Sequence, residues 1–527
     1  MTKYLIREWA AYIIVMVIAA WSIWPILRHP ATAFAYGGDD ALITWQINQT
    51  IQKIPSGLNR LFDGNIFYPY KNTAAFHMLL VPSAFLGFLP VKLTGNPVAA
   101  YNTAIILSQF LTLSVVFFWF RELTADAWSS ALATVTFALS QIRMGFDVHI
   151  HMWIMHWLVL AAWLIWRYTQ NKKIWQLYLA GLFLAIQIWE SIYQAHWVMI
   201  FAVILLLPVR RQLRSHLKHL LVIFVAVLLL VLPVVGVYFS VFRQFGYLGS
   251  IRESAHFSMS LNDLWGKFLS PGLYLNLLII ALVVRKKSLS LRVFPSWLIW
   301  LLTIGLLFSL GPVLKWQDHT VKIFDKLFLP LPFGIFYYLA PGLSVLRSVH
   351  RYIWLAALAA SGLVAVGFSR YQSRRRLILS ITLLILAVLG GSTVKRDRQF
   401  PPPQDYPSVY SWLQGQPGQV ILEYPVYTWA DKLHGQEMYR MLYSLKHKKK
   451  MVNGASGFLP PERGALFSRI VSNYPNPRLQ AELKALGVDY VIVHKNETSL
   501  DKLAQLAADP QLDRLWENPT SIVYALL

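Results

Sequence analysis

The sequence has no cysteine among its 527 residues, which excludes disulfides, thiolate metal sites and a cysteine nucleophile. Charged residues are scarce, at 14% against about 25% in an ordinary soluble domain. This scarcity excludes a soluble enzyme, a disordered chain and a protein with a single membrane anchor. The chain also lacks a glycine-rich phosphate-binding loop, so nothing indicates a bound nucleotide.

Hydrophobic residues make up 56% of the chain, and 48 lysines and arginines outnumber 25 aspartates and glutamates, giving a formal net charge of +23. In a soluble protein this charge would indicate a nucleic-acid partner. In a chain this apolar, positive residues are concentrated in cytoplasmic loops, where they fix the orientation of membrane spans. We therefore expect a multi-pass protein of the plasma (inner) membrane. Its partner is the membrane, and we expect no nucleic-acid partner.

Apolar runs predict about eleven membrane-spanning helices. Lys3 and Arg7 precede the first run and place the N-terminus in the cytoplasm, and nothing after that run resembles a signal-peptide cleavage site. The runs cover residues 9–27, 98–120, 127–141, 149–167, 174–189, 192–208, 219–241, 268–284, 294–311, 350–368 and 376–392.

A further apolar segment, about 76–93, contains Pro82, Gly87 and Pro90, which suit a straight span poorly. The strongest basic clusters follow every second run, and they join the N-terminus in the cytoplasm only if this segment does not cross. We expect the segment to lie in the outer interface as a juxtamembrane helix. The clusters are Arg167/Lys172/Lys173, Arg210/Arg211/Arg214/Lys218, Arg285/Lys286/Lys287/Arg292 and Arg370/Arg374/Arg375/Arg376.

The predicted membrane domain, residues 1–392, is an α-helical polytopic domain with several outer loops. The first loop is too long to be structureless, so we expect short helices in it near 41–53 and 76–93. The predicted outer loops are 28–97, 142–148, 242–267 and 312–349.

A charged, proline-rich linker, residues 393–403, precedes a segment in which charge is common and apolar runs are short. Alternation of apolar residues predicts strands at 419–424 and 490–494 and a helix at 479–486. Residues 404–527 are therefore expected to form a small α/β domain. Because successive spans alternate in direction, we expect this domain to lie outside the cytoplasm.

Two adjacent carboxylates, Asp39 and Asp40, follow Gly37 and Gly38 just beyond the first span. Acidic residues at membrane depth are costly unless they serve a function, and glycines let the backbone approach a ligand closely. One carboxylate suits a general base that activates a hydroxyl. Alternatively, Asp40 caps a helix that begins at Ala41.

The second outer loop and the helix boundary near 190 hold further polar candidates. His149 and Asp147 could act in acid–base chemistry or bind a metal or a phosphate, and His156 lies seven residues on, on the same face if the segment is helical. A purely structural role for the histidines is the alternative. Glu190 and Tyr193 are spaced to share another helix face.

Four outer arginines form a third group: Arg243 and Arg252 in one loop, and Arg347 and Arg351 at the start of the tenth run. The last two are four residues apart and would share a helical face. Arginine favours bidentate contacts with phosphate, so these residues suit a lipid-linked phosphate. Snorkelling toward lipid headgroups is the alternative.

Four stretches resemble one known group of proteins. They are Gly37–Trp45 with Leu61–Pro69; Ser140–Trp157, with Arg143, His149 and Trp157 in matching places; Leu346–Tyr352; and Val452–Pro461. In order and spacing they resemble the GT-C superfamily of polytopic glycosyltransferases, which use polyprenyl-phosphate sugars, and a poorly characterised bacterial group within it.

The resemblance implies an inverting sugar transfer from a polyprenyl-phosphate donor to a hydroxyl of a glycan, lipid or protein acceptor outside the cytoplasm. Asp39 takes the place of the general base, with Asp40 beside it. Arg347, Arg351, Arg243 and Arg252 would bind the donor phosphate. Arg143, Asp147, His149, Glu190 and Tyr193 would support the substrate. No cofactor is certain, and participation of a divalent cation is left open because metal dependence varies in the superfamily.

A transporter or flippase of lipid-linked glycans is the alternative function. Against it, the acids and bases lie at outer loops rather than at mid-membrane, and the sequence shows no pair of broken helices.

Overall fold

The computed structural model describes residues 2–145, 149–246, 249–264, 294–324, 326–340, 343–371, 376–391 and 393–527. The predicted span 268–284 and the basic cluster 285–292 lie outside the described residues. Each of the other ten predicted runs coincides with a helix. The described helices are α1 (Thr2–Ser22), α2 (Trp24–Arg28), α3 (Asp39–Lys53), α4 (Val81–Thr94), α5 (Val98–Thr124), α6 (Ala127–Ala138), α7 (Gln141–Met144), α8 (His156–Asn171), α9 (Trp175–Glu190), α10 (Ile192–Leu206), α11 (Arg210–Leu213), α12 (Leu217–Phe245), α13 (Ile251–His256), α14 (Ser296–Ser309), α15 (Pro332–Leu339), α16 (Ile353–Ser369), α17 (Arg376–Leu389), α18 (Ser408–Gln414), α19 (Gly435–His447), α20 (Pro461–Asn473), α21 (Pro477–Ala485) and α22 (Leu500–Ala507).

Strands are short except near the C-terminus. They are β1 (Ala33–Phe34), β2 (Lys315–Trp316), β3 (His319–Thr320), β4 (Lys322–Ile323), β5 (Leu327–Phe328), β6 (Arg398–Gln399), β7 (Val420–Tyr424), β8 (Lys450–Met451), β9 (Tyr490–His494), β10 (Leu512–Glu517) and β11 (Ser521–Leu526).

Four helical stretches among the described residues are long and apolar enough to cross a membrane: Val98–Thr124, Ile150–Asn171, Ile192–Phe245 and Val349–Ser369. These and several shorter apolar helices make the chain a multi-pass membrane protein. Eleven spans remain a prediction. Helix α4 has 14 residues, which is about 21 Å at 1.5 Å per residue. A typical membrane span has roughly 20 residues, so α4 is shorter than a typical span.

The chain divides into two compact units. The first contains residues 1–28, 105–231 and 247–395, and the second contains 29–104, 232–246 and 396–527. We call them the helical unit and the mixed unit. The predicted organisation grouped the first outer loop with the membrane domain, whereas these units group it with the C-terminal residues.

The core of the helical unit is built around α16, whose side chains are buried along nearly its whole length. Small residues allow the close packing of its neighbours, as they do in membrane helix pairs generally. A Cβ atom at Gly305 of α14 would lie 2.5 Å from the backbone nitrogen of Ala356 on α16. These two helices therefore approach too closely for a larger residue at position 305.

The mixed unit contains a five-stranded sheet in the order β10-β11-β9-β7-β8. Strand β7 pairs in parallel with both β8 and β9, and β11 pairs antiparallel with β9 and β10. The predicted strands at 419–424 and 490–494 and the predicted helix at 479–486 are confirmed by β7, β9 and α21.

Two of the sequence motifs hydrogen-bond to each other in the mixed unit. The backbone N–H groups of Phe67 and Tyr68 donate to the carbonyls of Asn453 and Met451, each at 2.9 Å, and the Met451 N–H donates to Asn65 at 2.7 Å. Gly454 permits this approach, since a Cβ there would lie 2.9 Å from Cβ of Ile66. Backbone hydrogen bonds thereby hold residues 65–68 against β8 and the residues that follow it.

A buried charge cluster lies beside the C-terminal end of β7. The Arg440 guanidinium contacts Glu437 at 3.0 Å, Glu497 at 2.6 Å and Glu423 at 3.7 Å. The Asn453 amide donates to Glu437 at 3.1 Å and accepts from the Glu423 N–H at 2.7 Å. One arginine thus neutralises part of the charge of three carboxylates, of which Glu423 and Glu437 are fully buried.

Burial and nearby charges shift the pKa values of the two buried carboxyl groups of this cluster in opposite directions. Burial raises the pKa of Glu437 from 4.5 to about 7, despite the opposing effect of Arg440. Burial also acts on Glu423, but its hydrogen bond with His494 and the nearby charges lower the pKa of Glu423. Glu437 is therefore the member of the cluster that takes up a proton near neutral pH.

We expect Glu437→Gln to become more stable relative to wild type as pH rises from 5 to 8. Folded Glu437 holds its proton up to about pH 7 whereas the unfolded chain releases it near 4.5, so wild type loses stability through this window. The relative change should be about 1–3 kcal/mol. Thermal unfolding of both purified full-length proteins at several pH values measures it.

The comparison with wild type is essential because His447 has the opposite effect. Burial lowers the pKa of His447 to about 4, so its contribution to stability increases between about pH 4 and 6.5. That contribution cancels between the two proteins. A stability difference that does not change with pH would contradict a titrating Glu437.

Candidate functional site

Asp39 occupies the first position of α3 in the mixed unit. Gly38 precedes it as the N-cap with a positive φ of 79°, and a Cβ at Gly38 would lie 3.3 Å from Sδ of Met438. Gly38 is thus required both by its conformation and by the close approach of α19. Asp39 is half-buried, and its carboxylate lies at the positive end of the helix dipole, which favours the anion.

Asp40 is engaged in a buried ion pair. Its carboxylate contacts both terminal nitrogens of Arg396 at 3.2 Å and accepts the Tyr101 hydroxyl at 2.9 Å and the Ala35 N–H at 2.9 Å. Both charged side chains are 0% exposed. The expectation that Asp40 caps a helix at Ala41 is wrong, since α3 begins at Asp39 and has no side-chain cap.

Residues after the last membrane helix hold the segment that leads to Asp39. Strand β6 pairs antiparallel with β1, and the Tyr36 hydroxyl donates to the Gln399 carbonyl at 2.7 Å. The rings of Phe34 and Phe400 lie 4.8 Å apart. The stretch 396–400, predicted as part of a linker, is thus packed against residues 33–36.

Arg347 and Arg351 of the helical unit each lie over an aromatic ring. The Arg351 guanidinium lies over the Tyr193 ring at 5.1 Å, and the Arg347 guanidinium lies over the Phe257 ring at 5.8 Å. The Tyr193 hydroxyl donates to the Ser348 carbonyl. The expected shared helical face is wrong, because the chain is not helical at Arg347 and α16 begins only at Ile353.

Arg143 is 1% exposed in the helical unit. Its Nε and Nη2 donate to Oε1 of Gln109 at 3.1 and 2.8 Å, and its guanidinium lies 4.8 Å from the centre of the Trp153 ring. Nη1 has no hydrogen-bond partner among the described residues. Arg143 therefore presents one guanidinium nitrogen that could bind a substrate.

The other candidates of the helical unit lie at helix ends. Glu190 is the buried last residue of α9, and His149 precedes a 3₁₀ turn with its ring 5.8 Å from that of His151. The expected helical face shared by His149 and His156 is wrong, because the chain turns between them before α8 begins. Asp147 lies outside the described residues.

Arg243 and Arg252 are exposed and belong to different units: Arg243 lies in the last turn of α12 in the mixed unit, and Arg252 lies in α13 in the helical unit. Among the described residues, no group of three or more histidine, aspartate or glutamate side chains could hold a metal ion.

Comparison with solved structures identifies the fold. The crystal structure of the Archaeoglobus fulgidus oligosaccharyltransferase tethered with an acceptor peptide containing the NVT sequon matches 99% of this chain and 74% of its own, with 11% identity and a TM-score of 0.50. The apo form of that enzyme matches 92% and 69%, with 13% identity and a TM-score of 0.50. The complex of AglB from the same organism with an inhibitory peptide and a dolichol-phosphate matches 100% of this chain and 74% of its own. Its identity is 12% and its TM-score is 0.45.

At these identities the likeness defines the fold alone: the chain has the GT-C-like fold of the archaeal oligosaccharyltransferase, the fold that the sequence resemblance implies. No protein-family model matches the chain, and no curated protein matches it.

Sequence reasoning missed the partners of the predicted residues. Arg396 lies in the run Lys395–Arg398, which looked like an exposed linker, and Tyr101 and Gln109 lie inside an apolar helix. No local pattern marks any of the three as a partner of Asp40 or Arg143. The only indication that such partners exist is energetic: a buried charge is costly, so it requires a partner somewhere in the chain.

We expect Arg396→Met to destabilise the protein by about 3–5 kcal/mol, because it leaves the Asp40 carboxylate buried without its cation. Arg396→Met with Asp40→Asn should cost less than the sum of the single changes. Thermal unfolding of the full-length proteins measures these effects. Arg398→Met, at an exposed position two residues away, is the control and should change stability by less than about 0.5 kcal/mol. Strictly additive effects of the Arg396 and Asp40 changes would contradict the pairing.

Proposed function

We propose that this protein is an integral membrane glycosyltransferase that moves a sugar from a polyprenyl-phosphate donor to an extracytoplasmic hydroxyl with inversion. The observation that carries the proposal is the GT-C fold across 99% of the chain. The two constellations described above supply the residue types that such a transfer needs, namely arginines for a phosphate and a carboxylate for a hydroxyl.

The arginines support a role in donor binding. Arg347 and Arg351 are half-buried, and each guanidinium lies over an aromatic ring, Phe257 for Arg347 and Tyr193 for Arg351, an arrangement that restricts their side chains. Guanidinium groups bind phosphate oxygens in a bidentate manner. As the sugar departs, negative charge develops on the phosphate that is left behind, and two fixed cations stabilise that charge in the transition state.

Asp39 is better suited than Asp40 to act as the base. The Asp40 carboxylate accepts hydrogen bonds from Arg396, Tyr101 and the Ala35 N–H and is fully buried. Asp39, the adjacent residue, retains exposure at the first position of α3. The buried pair thus fixes the start of the helix, and Asp39 takes the acceptor proton.

The reaction follows from these roles. Asp39 removes the acceptor proton as the acceptor oxygen attacks the anomeric carbon from the face opposite the phosphate. The bond between that carbon and the phosphate oxygen breaks, and its electrons remain on the polyprenyl phosphate near Arg347 and Arg351. One displacement inverts the anomeric configuration. The acceptor is a glycan, a lipid or a protein. In the archaeal structure the acceptor is a peptide.

We expect Arg347→Ala with Arg351→Ala to weaken the binding of a polyprenyl-phosphate hexose by at least tenfold. Charge-assisted hydrogen bonds are worth about 1.5–3 kcal/mol each, and Arg347→Lys should still lose affinity because lysine lacks the bidentate fork. Binding to the purified protein in nanodiscs measures this. Arg370→Ala, at the exposed far end of α16, is the matched control. Equal affinity of wild type and the double variant would remove the arginines from the donor site.

We expect Asp39→Asn to reduce sugar transfer by about 10²–10⁴-fold, the usual contribution of a positioned general base. The change is nearly isosteric, so donor binding and thermal stability should stay close to wild type. Release of labelled sugar from the lipid phosphate in the presence of a cell-envelope acceptor fraction measures turnover.

Asp405→Asn, at an exposed carboxylate of the same unit, serves as the control and should retain full turnover. Full turnover by Asp39→Asn would exclude this residue as the base. Absence of transfer by wild type, combined with movement of the lipid across the bilayer, would instead support the flippase.

A further inference from the structure

Three membrane helices of the helical unit bring polar side chains together at one end. Helix α8 begins at His156, α9 returns antiparallel and ends at Glu190, and α10 begins at Ile192. The three helices pack against one another. His156 in the first turn of α8, Gln187 in the last turn of α9 and Gln194 in the first turn of α10 therefore lie at the same end.

These side chains are buried, but most of their hydrogen-bonding atoms have no partner among the described residues. His156, Gln187 and Gln194 are 2%, 0% and 0% exposed. Both ring nitrogens of His156, both amide atoms of Gln187 and Oε1 of Gln194 have no hydrogen-bond partner among the described residues. Since each unsatisfied polar group costs about 1–3 kcal/mol, five such atoms at one end of a helical bundle need a reason.

Arg143 adjoins the same group. Its guanidinium lies 4.8 Å from the centre of the Trp153 ring. The neighbouring residue, Met152, accepts the Nε2–H of Gln194 at 3.2 Å, a weak bond to sulfur. Nη1 of Arg143 is a further atom without a hydrogen-bond partner among the described residues. We call Arg143, His156, Gln187 and Gln194 the polar end cluster.

We propose that the polar end cluster binds the sugar ring of the lipid-linked donor and determines which sugar is accepted. This inference rests on the proposed function, in which Arg347 and Arg351 bind the donor phosphate. A phosphate only accepts hydrogen bonds, and arginine supplies donors alone. The amides and imidazole of the polar end cluster both donate and accept, as the hydroxyl groups of a sugar require.

Discrimination between sugars follows from the same chemistry. A site built to hydrogen-bond a hydroxyl rejects an analogue that lacks it, because the polar groups of the site are then left unpaired and buried. Ordered water is the competing occupant of such groups. Water would be retained whichever lipid is bound, and so would produce no preference between lipids with and without a sugar.

The test compares the bare lipid with lipids that carry a sugar. Wild type in nanodiscs is titrated with undecaprenyl phosphate and with undecaprenyl phosphates bearing glucose, mannose, galactose or N-acetylglucosamine. We expect at least one glycosylated lipid to bind about tenfold or more tightly than the bare lipid. Gln187→Leu and Gln194→Leu should each reduce that ratio severalfold and leave the affinity for the bare lipid unchanged.

The leucine variants also carry a stability readout. Replacement of an unpartnered buried amide by an apolar side chain of similar size should leave the thermal unfolding midpoint unchanged or raise it. Gln176→Leu is the matched control, since Gln176 is also buried and its Oε1 also lacks a partner among the described residues. It lies in the first turn of α9, at the opposite end, and the change should leave the lipid ratio at the wild-type value.

Each outcome decides between the two proposals. If the leucine variants lower the unfolding midpoint and keep the wild-type ratio, the amides hold structure or water and the inference is overturned. If wild type binds bare and glycosylated lipids equally, the sugar site is overturned while lipid-phosphate binding stands. If wild type binds none of these lipids, the proposed function itself fails.

Discussion

The buried ion pair between Asp40 and Arg396 is the interaction on which the mixed unit depends. Two charges with 0% exposure are tolerated only when each satisfies the other, since an unpaired buried charge costs several kcal/mol. This requirement links the beginning of α3 to residues that follow the last membrane helix. The same two segments also meet where β1 pairs with β6 and where Phe34 packs on Phe400. The position of Asp39 is thus set by an arginine far along the chain.

Local patterns in the sequence were sufficient for the long apolar helices and for β7, β9 and α21. Long apolar runs predicted the helices, and alternation predicted β7 and β9, because both signals arise within a few neighbouring residues. The glycine pair before Asp39 was also informative, since Gly38 has a positive φ and lies against Met438. These features depend on periodicity and backbone conformation, which a single sequence displays directly.

Long-range pairing was beyond the sequence. Nothing near Asp40 indicates that Arg396 and Tyr101 contact it, and nothing near Arg143 indicates Gln109. The prediction that Arg347 and Arg351 share a helical face failed for a related reason, because spacing alone does not show where a helix begins. The start of α16 at Ile353 leaves Arg347 in a segment without regular secondary structure, and the two guanidinium groups lie over different aromatic rings, Phe257 and Tyr193.

The distance along the chain between Asp40 and Arg396 has a consequence for biosynthesis. The two residues are 356 positions apart, and every membrane helix after α3 is made between them. At roughly 5–20 residues per second, ribosomes need roughly 20–70 seconds to cover that length. During this interval the Asp40 carboxylate of the newly made segment lacks the arginine that neutralises it. This charge must therefore stay hydrated until Arg396 is made, and contacts of such long range form slowly.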